Sequence, residues 1–438
     1  MLKNYIYLSL FIIIFANKAF ALNSSSYLIA NTAVNLFDFE EAYQQYNSSE
    51  QELGEYDSYN KLITLVNLKL IEEAKEVARD ILEINKLNSE AWLVVLTHAK
   101  INNDYEIFDA YKKLKNFSQK NLFDFIFFEQ NYNFKSNELA ANAIFEIIQA
   151  SIANESRKDD YKFLLFYLSI ADILDSNIEE INYYTAYIYQ TLKYYSKAEH
   201  YYQKIDDKHK LYIDSQKSIA INKSKLGLFK DGEEILLNLI KKFNNNHELL
   251  LALADLYRID KKYDQAIEYY TKVINFAPSF DNDYWRIYYL RGICFERSNQ
   301  WNMAEKDFLY SLELNANSPN VLNYLAYGWL ERDENIDLAL EMLIDAYKAF
   351  PESYYILDSL AWAYYKKKQF VKAAELMEKV IEMAPSEAIS LDHLADIYFA
   401  LKRKREAIFF WKQALDLAMP DDMISENLLK KLEKYDAG

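Results

Sequence analysis

Five histidines, one cysteine and 66 acidic residues are the side chains with which this 438-residue chain could carry out metal, nucleophilic or acid–base chemistry. His98, His200, His209, His247 and His393 are scattered, and none falls in the H-E-x-x-H or C-x-x-C spacings that bring two ligands to one metal. Cys294 stands alone, so no intramolecular disulfide can form and no cysteine near the leader offers a lipid attachment point. The G-x-S-x-G elbow, the phosphate loop and G-x-G-x-x-G are all missing. Asp358 and Asp392 could act as a carboxylate acid–base pair, with His393 beside Asp392 and Asp396, but so acidic a chain holds many such pairs by chance. A hydrolase is therefore the third-ranked reading. The sequence calls for no cofactor, no metal and no catalytic residue, and His393 reads as an interface or core histidine.

The remaining chemistry is recognition. The net charge is −16, which repels phosphate backbones and gives no counterion-release drive toward nucleic acid. The basic run Lys402-Arg403-Lys404-Arg405 is too short to reverse that and reads as a solvated turn between helices. Aromatic stretches such as Phe123–Phe128 and Tyr183–Tyr189 read as core.

The elements that must position any site are helices in a repeat. All five prolines lie in the second half, at 278, 319, 351, 385 and 420, with spacings of 41, 32, 34 and 35. These bracket the 34-residue period of the tetratricopeptide repeat, and a proline ends the helix before it. Between the joints the pattern recurs: Leu360, Ala361, Tyr364 and Ala373, then Leu394, Ala395, Tyr398 and Ala407. Weaker copies carry Tyr189 and Ala198, Tyr257 and Ala266, Phe295 and Ala304, and Trp329 and Ala339, the last with one extra residue in its turn. Small residues let paired helices approach, and large ones fill the space between pairs. The expected fold is all-α, a solenoid of stacked helix hairpins. Its expected divisions are a signal peptide at 1–21, irregular repeat-like helices at 22–175, a regular array at 176–420 and a capping helix at 421–438. Residues 100–175 give no register.

The runs Leu290–Ile293, Leu322–Tyr327, Leu357–Trp362 and Asp392–Asp396 resemble a family of exported tetratricopeptide-repeat proteins common in alphaproteobacteria. A more distant resemblance reaches outer-membrane repeat lipoproteins that serve as adaptors for carboxyl-terminal-processing proteases. Those carry a lipidated cysteine, which this sequence lacks. It also has Ala254, Ala326, Ala361 and Ala395 where the repeat usually has glycine.

In such repeats the first helix of each pair lines a concave surface, with residues about one turn apart projecting into it. That stripe holds Asn320, Asn323 and Tyr327, then Tyr355, Asp358, Trp362 and Tyr365, then Asp392, Asp396 and Phe399. Arg286, Tyr289 and Glu296 occupy related places upstream. Amides, carboxylates and aromatics suit a peptide backbone, apolar anchors and basic side chains, with Trp362 as the expected anchor. The alternative use of Asp358, Asp392 and His393 is to tie neighbouring repeats together.

At the start, Lys3, the apolar run Ile6–Phe15 and Ala19-Phe20-Ala21 form the pattern of a secretory signal cleaved after Ala21. The run is too short to span a bilayer. The expected protein is a non-catalytic periplasmic scaffold or adaptor for a protein or peptide partner, such as a periplasmic protease. It would have no nucleic-acid partner and no membrane span after cleavage. The second reading is an envelope-assembly or cell-wall module that spaces its partners.

Overall fold

A computed structural model describes residues 26–48, 55–129, 133–153, 160–244, 246–276, 284–422 and 424–435. The leader 1–21, Pro278 and the segment 281–283 lie outside them. No strand occurs among the described residues, where the sole β-type contact is an antiparallel bridge between Phe128 and Phe134. The chain forms two compact units, Met1–Ile235 and Leu236–Gly438.

In the first unit the helices are α1 (26–35), α2 (Phe39–Asn47), α3 (Glu55–Asn67), α4 (Ile71–Ile84), α5 (Ser89–Ile101), α6 (Glu106–Lys112) and α7 (Lys120–Phe127). They continue with α8 (Asn137–Ala153), α9 (Tyr161–Leu174), α10 (Glu179–Thr191), α11 (Tyr195–Tyr202) and α12 (Tyr212–Lys225), and the division falls within α13 (Phe229–Lys242). The second unit holds α14 (His247–Ile259), α15 (Tyr263–Phe276), α16 (Trp285–Arg297), α17 (Trp301–Leu314), α18 (Pro319–Glu331) and α19 (Ile336–Ala349). It ends with α20 (Tyr354–Lys366), α21 (Phe370–Met383), α22 (Ala388–Ala400), α23 (Lys404–Leu417), a 3₁₀ turn (Pro420–Asp422) and α24 (Ser425–Tyr435). In that unit each even-numbered helix from α14 to α22 packs on the next as an antiparallel hairpin.

Among the described residues one turn closes ten of the helix pairs. The first helix ends in a residue with positive φ, at Phe37, Lys69, Asn103, Lys193, Gly227, Lys261, Asn299, Asp333, Lys368 and Lys402. The amide that follows donates back to a carbonyl five residues earlier. The pairs include Leu70 to Leu65 (2.9 Å), Lys262 to Tyr257 (2.9 Å), Gln369 to Tyr364 (2.9 Å) and Arg403 to Tyr398 (2.9 Å). This is the Schellman closure, which satisfies carbonyls that the helix end leaves unpaired. The accepting positions include Tyr189, Tyr257, Phe295, Trp329, Tyr364 and Tyr398, the large residues of the sequence pattern. After Asp333 comes a second left-handed residue, Asn335, which accommodates the extra residue in that turn.

Only Gly227 meets this left-handed requirement without a Cβ. At Lys368 (φ 59°) the lysine is exposed and its backbone carries the strain. Lys368→Gly is expected to stabilise the protein by about 1 kcal/mol, with Lys368→Ala close to neutral. Thermal melts of the two variants check this.

Nine residues beyond most of those accepting carbonyls, the second helix places a small residue with no exposed surface: Ala42, Ala74, Ala198, Ala266, Ala304, Ala373 and Ala407. Ala339 sits one residue later. Gly232 fills the same place against the backbone of Ala220, where an added Cβ would lie 2.4 Å from the carbonyl oxygen. Phe108 is the exception. A benzyl group cannot lie in a joint built for a methyl group, and α6 is correspondingly only seven residues long. Its ring instead nucleates an aromatic cluster with Phe127 (5.5 Å), Phe128 (5.7 Å) and Phe134 (4.9 Å). The repeat register is lost at this point.

The first unit departs from simple neighbour-on-neighbour stacking. Nine of the fourteen residues of α9 are buried, so one partner helix cannot cover it. It packs on α8 and α10 and also reaches α3 and α5. Asp172 pairs with Lys69, and the Ser169 hydroxyl donates to Asn67 Oδ1 (3.2 Å). The stretch Tyr183–Tyr189 is only partly core: Ala186, Ile188 and Tyr189 are buried, while Tyr187 is exposed.

Candidate functional site

The first helices of successive hairpins in the second unit lie side by side, α18 against α20 and α20 against α22. Pro319 occupies the first turn of α18, where its missing N–H costs no hydrogen bond. Ser353 caps α20 by accepting from the Ile356 amide (3.4 Å). A cleft of about 470 Å³ opens across them. Its walls come from Tyr289 and Arg297 of α16, Asn320, Asn323, Tyr324 and Tyr327 of α18, and Tyr354, Tyr355, Asp358 and Ser359 of α20. Glu387, Ile389 and Ser390 at the start of α22 complete it.

Five of the ten stripe residues thus meet in one cleft: Asn320, Asn323, Tyr327, Tyr355 and Asp358. The Tyr355 hydroxyl donates to Asn320 Oδ1 (3.0 Å), which fixes both side chains at the rim. Tyr327 is largely enclosed. Burial, followed by the fields of Glu331, Asp358, Asp392 and Glu296, raises its hydroxyl well above the usual 10. Four carboxylates therefore act on one ring. Arg297 at the rim is partly offset by Glu296, 3.5 Å away.

The other five stripe residues sit outside the cleft. The Trp362 ring is nearly buried between His393 (4.1 Å, 16°) and Tyr365 (4.5 Å, 10°), and its Nε1 donates to Glu331 Oε1 (2.8 Å). An anchor projecting freely into a groove would not be held this way, so truncating Trp362 is expected to cost packing as well as contact. Asp392 and Asp396 face α24, where Lys431 Nζ donates to Asp392 Oδ1 (2.6 Å) and Asp396 Oδ1 (2.7 Å). Phe399 packs on Tyr435 (4.4 Å) and Trp411 (5.4 Å), and Trp411 Nε1 donates to Asp396 Oδ1 (2.9 Å). A partner reaching these three residues must compete with α24.

Helical spacing does not single out Tyr324, Tyr354, Ser359 or Ser390, nor Arg297, Glu387 or Ile389, as lining residues. Tyr324, Tyr354 and Ser359 each neighbour a stripe residue in sequence, and the cleft is simply wider than one side-chain row. Lys431 carries no repeat signal at all.

His393 links cleft and stack through Nδ1 to Asp358 Oδ1 (2.8 Å). Burial alone would lower the imidazole, but Asp358, then Asp392 and Glu331, outweigh it and hold the group above its ordinary 6.5. A histidine raised in the fold supplies stability that is complete below its unfolded value, about 6.5, and lost as pH rises through the folded value. His393→Gln is expected to flatten the fall in melting temperature above about pH 6.5. Melts of wild type and variant across that range check it. Among the described residues no group of three or more His, Cys, Asp and Glu is placed to hold a metal ion. Burial pushes the Cys294 thiol up to about 12. No described helix is long and apolar enough to cross a membrane.

Models of the tetratricopeptide repeat match residues 247–280, 330–388 and 388–418. These segments of the second unit are similar to tetratricopeptide repeats. A TPR repeat-containing protein of Pseudomonas aeruginosa is 25% identical over 108 residues, covering 25% of this chain and 18% of its own. A BBSome complex member BBS4 homolog of Drosophila melanogaster is 27% identical over 173 residues, covering 39% and 34%. The chain thus spans about a fifth and a third of the length of these relatives. Among solved structures, the Cut9–Hcn1 assembly of the APC/C has TM-score 0.48 at 17% identity, covering 93% of this chain and 83% of that one. Yeast Tom70 has TM-score 0.45 at 14%, covering 96% of each. A tetratricopeptide repeat protein of Parabacteroides merdae has TM-score 0.45 at 18%, covering 57% of this chain and 97% of its own. The cleft lies on the repeats of the second unit, between first helices of consecutive hairpins.

Proposed function

We propose that the chain is a non-catalytic scaffold or adaptor that holds a protein or peptide partner in the cleft between α16, α18, α20 and α22, and that it works in the periplasm after loss of its leader. The observation that carries this is the convergence of Asn320, Asn323, Tyr327, Tyr355 and Asp358 on one cleft. Repeats of this kind present stacked helix faces to other chains, and amide, carboxylate and phenol groups can bind a main chain and its side chains together. The location rests on Lys3, the run Ile6–Phe15 and Ala19-Phe20-Ala21. A protease of the periplasm or an envelope-assembly protein is the partner this reading favours.

Photo-crosslinking tests it. A crosslinker at Tyr355, on the cleft rim, should capture one dominant partner in envelope extract, whereas one at exposed Lys379 on the second helix α21 should not. Capture at Lys379 alone, or at neither position, overturns the cleft as the docking site. Mass spectrometry of the mature chain should find Leu22 first, and a cytosolic chain retaining Met1 would overturn the location.

A further inference from the structure

Two buried oxygen atoms on the cleft wall have no hydrogen-bond partner within the protein, Asn323 Oδ1 and Asp358 Oδ2. Both side chains are more than nine-tenths buried, at 7% and 6% exposure, and both line the cleft. An unpaired buried acceptor loses its water without replacing the hydrogen bond, at a greater cost if it is charged. Such atoms call for an explanation, and for two on residues that line one cleft a donor supplied from outside is a direct one. An amide oxygen and a carboxylate oxygen accept only, so the missing group is rich in N–H and poor in lone pairs.

Charge narrows the class. Asp358 and Glu387 line the cleft, and Glu296, Glu331 and Asp392 act on the ring of Tyr327 beside it. Arg297, the cation of the rim, lies against Glu296. An anionic ligand would meet this field unfavourably, and a cation would be drawn in. The tyrosines at 289, 324, 327, 354 and 355 supply aromatic faces for a cation. A planar guanidinium can reach two acceptors with its forked N–H groups while lying on a phenol ring, which a compact ammonium cannot do.

We propose that the cleft is an arginine pocket, in which Asn323 Oδ1 and Asp358 Oδ2 accept N–H bonds from the guanidinium of a partner peptide stacked on the tyrosine wall. This rests on the scaffold reading and names the side chain the partner must present. His393 holds Asp358 through its other oxygen, Oδ1, which leaves Oδ2 without a partner in the protein.

The test uses the full chain and three short peptides, Gly-Arg-Gly, its citrulline counterpart and Gly-Glu-Gly. Citrulline keeps the shape and removes the charge. The arginine peptide should raise the melting temperature and change tyrosine fluorescence saturably, while the citrulline and glutamate peptides do neither. Asn323→Leu should weaken arginine-peptide binding at least about tenfold while leaving the ligand-free melting temperature unchanged or higher, because it removes an unpaired acceptor. Asn323→Asp should tighten binding. Equal responses to arginine and citrulline, or none to either, overturn the inference, the two acceptors then being met by solvent. So does an Asn323→Leu variant that melts lower and still binds arginine. If Asn323→Leu retains the partner crosslinked at Tyr355, the arginine pocket fails and the scaffold reading stands. If wild type captures nothing at Tyr355, the scaffold reading is the one that fails.

Discussion

Replacing Asp307 by alanine is expected to destabilise the second unit by about 3–5 kcal/mol, among the largest effects available to a single side chain outside the cleft. Arg291 on α16 forks onto the Asp307 carboxylate of α17, Nε to Oδ2 and Nη2 to Oδ1, both at 2.7 Å. Its Nη1 donates to Thr271 Oγ1 of α15 (3.0 Å), so one guanidinium joins three helices. Both members are well buried. Burial is the larger influence on Asp307 and raises its carboxyl above the ordinary 3.8, even against the pull of Arg291. For this carboxylate, burial outweighs the pull of Arg291. Losing one member is costly because it strands the other charge. Hence the double variant Arg291→Met with Asp307→Leu is expected to be neutral or up to about 4 kcal/mol more stable than wild type, against the large loss of Asp307→Ala alone. Urea unfolding of the three proteins decides it. A double variant as unstable as the single one would mean that the fork itself holds α15, α16 and α17 together.

The contrast between these helices and the first unit explains what could be read from sequence. Tyr364 with Ala373 and Tyr398 with Ala407 were legible because a closely packed joint admits only a small residue, and the Schellman turn fixes the distance to it. That constraint is local, so it leaves a period. Where Phe108 replaces the alanine the constraint disappears, and elsewhere in the first unit long-range contacts are added to the local ones. Lys162 Nζ donates to Asn35 Oδ1 (2.8 Å) and Lys197 Nζ to the Phe37 carbonyl (2.9 Å), and neither contact leaves any periodic trace. The cleft follows the same division. Helical spacing alone puts Asn320, Asn323 and Tyr327, and likewise Tyr355 and Asp358, on one helix face, since such a face presents every third or fourth residue. The stacking of Trp362 on His393, one repeat later, depends on rotamers that spacing does not specify.

The least legible contact is also the one expected to respond most to pH. Lys431 of α24 bridges Asp392 and Asp396, two carboxylates one turn apart on α22. Burial first, and then Asp396, raise the Asp392 carboxyl above its ordinary 3.8 even with the amine present. Lys431→Met would leave both carboxylates facing each other, and a loss of about 3 kcal/mol at neutral pH is expected. A carboxyl whose folded value is raised opposes folding when ionised and ceases to do so as pH falls through that value. The variant should therefore recover toward wild type as pH is lowered to about 4.5, while wild type, its carboxylates still paired, gains less. Thermal melts at the two pH values measure the difference. A loss independent of pH would exclude the carboxylates as its cause. Tyr435 also seats α24, packing on Phe399 (4.4 Å) and stacking on Trp411 (5.9 Å, 23°). If the pH-dependent recovery is found, Asp392 and Asp396 are acceptors whose occupant is Lys431. A partner using them must then offer a cation strong enough to displace that amine.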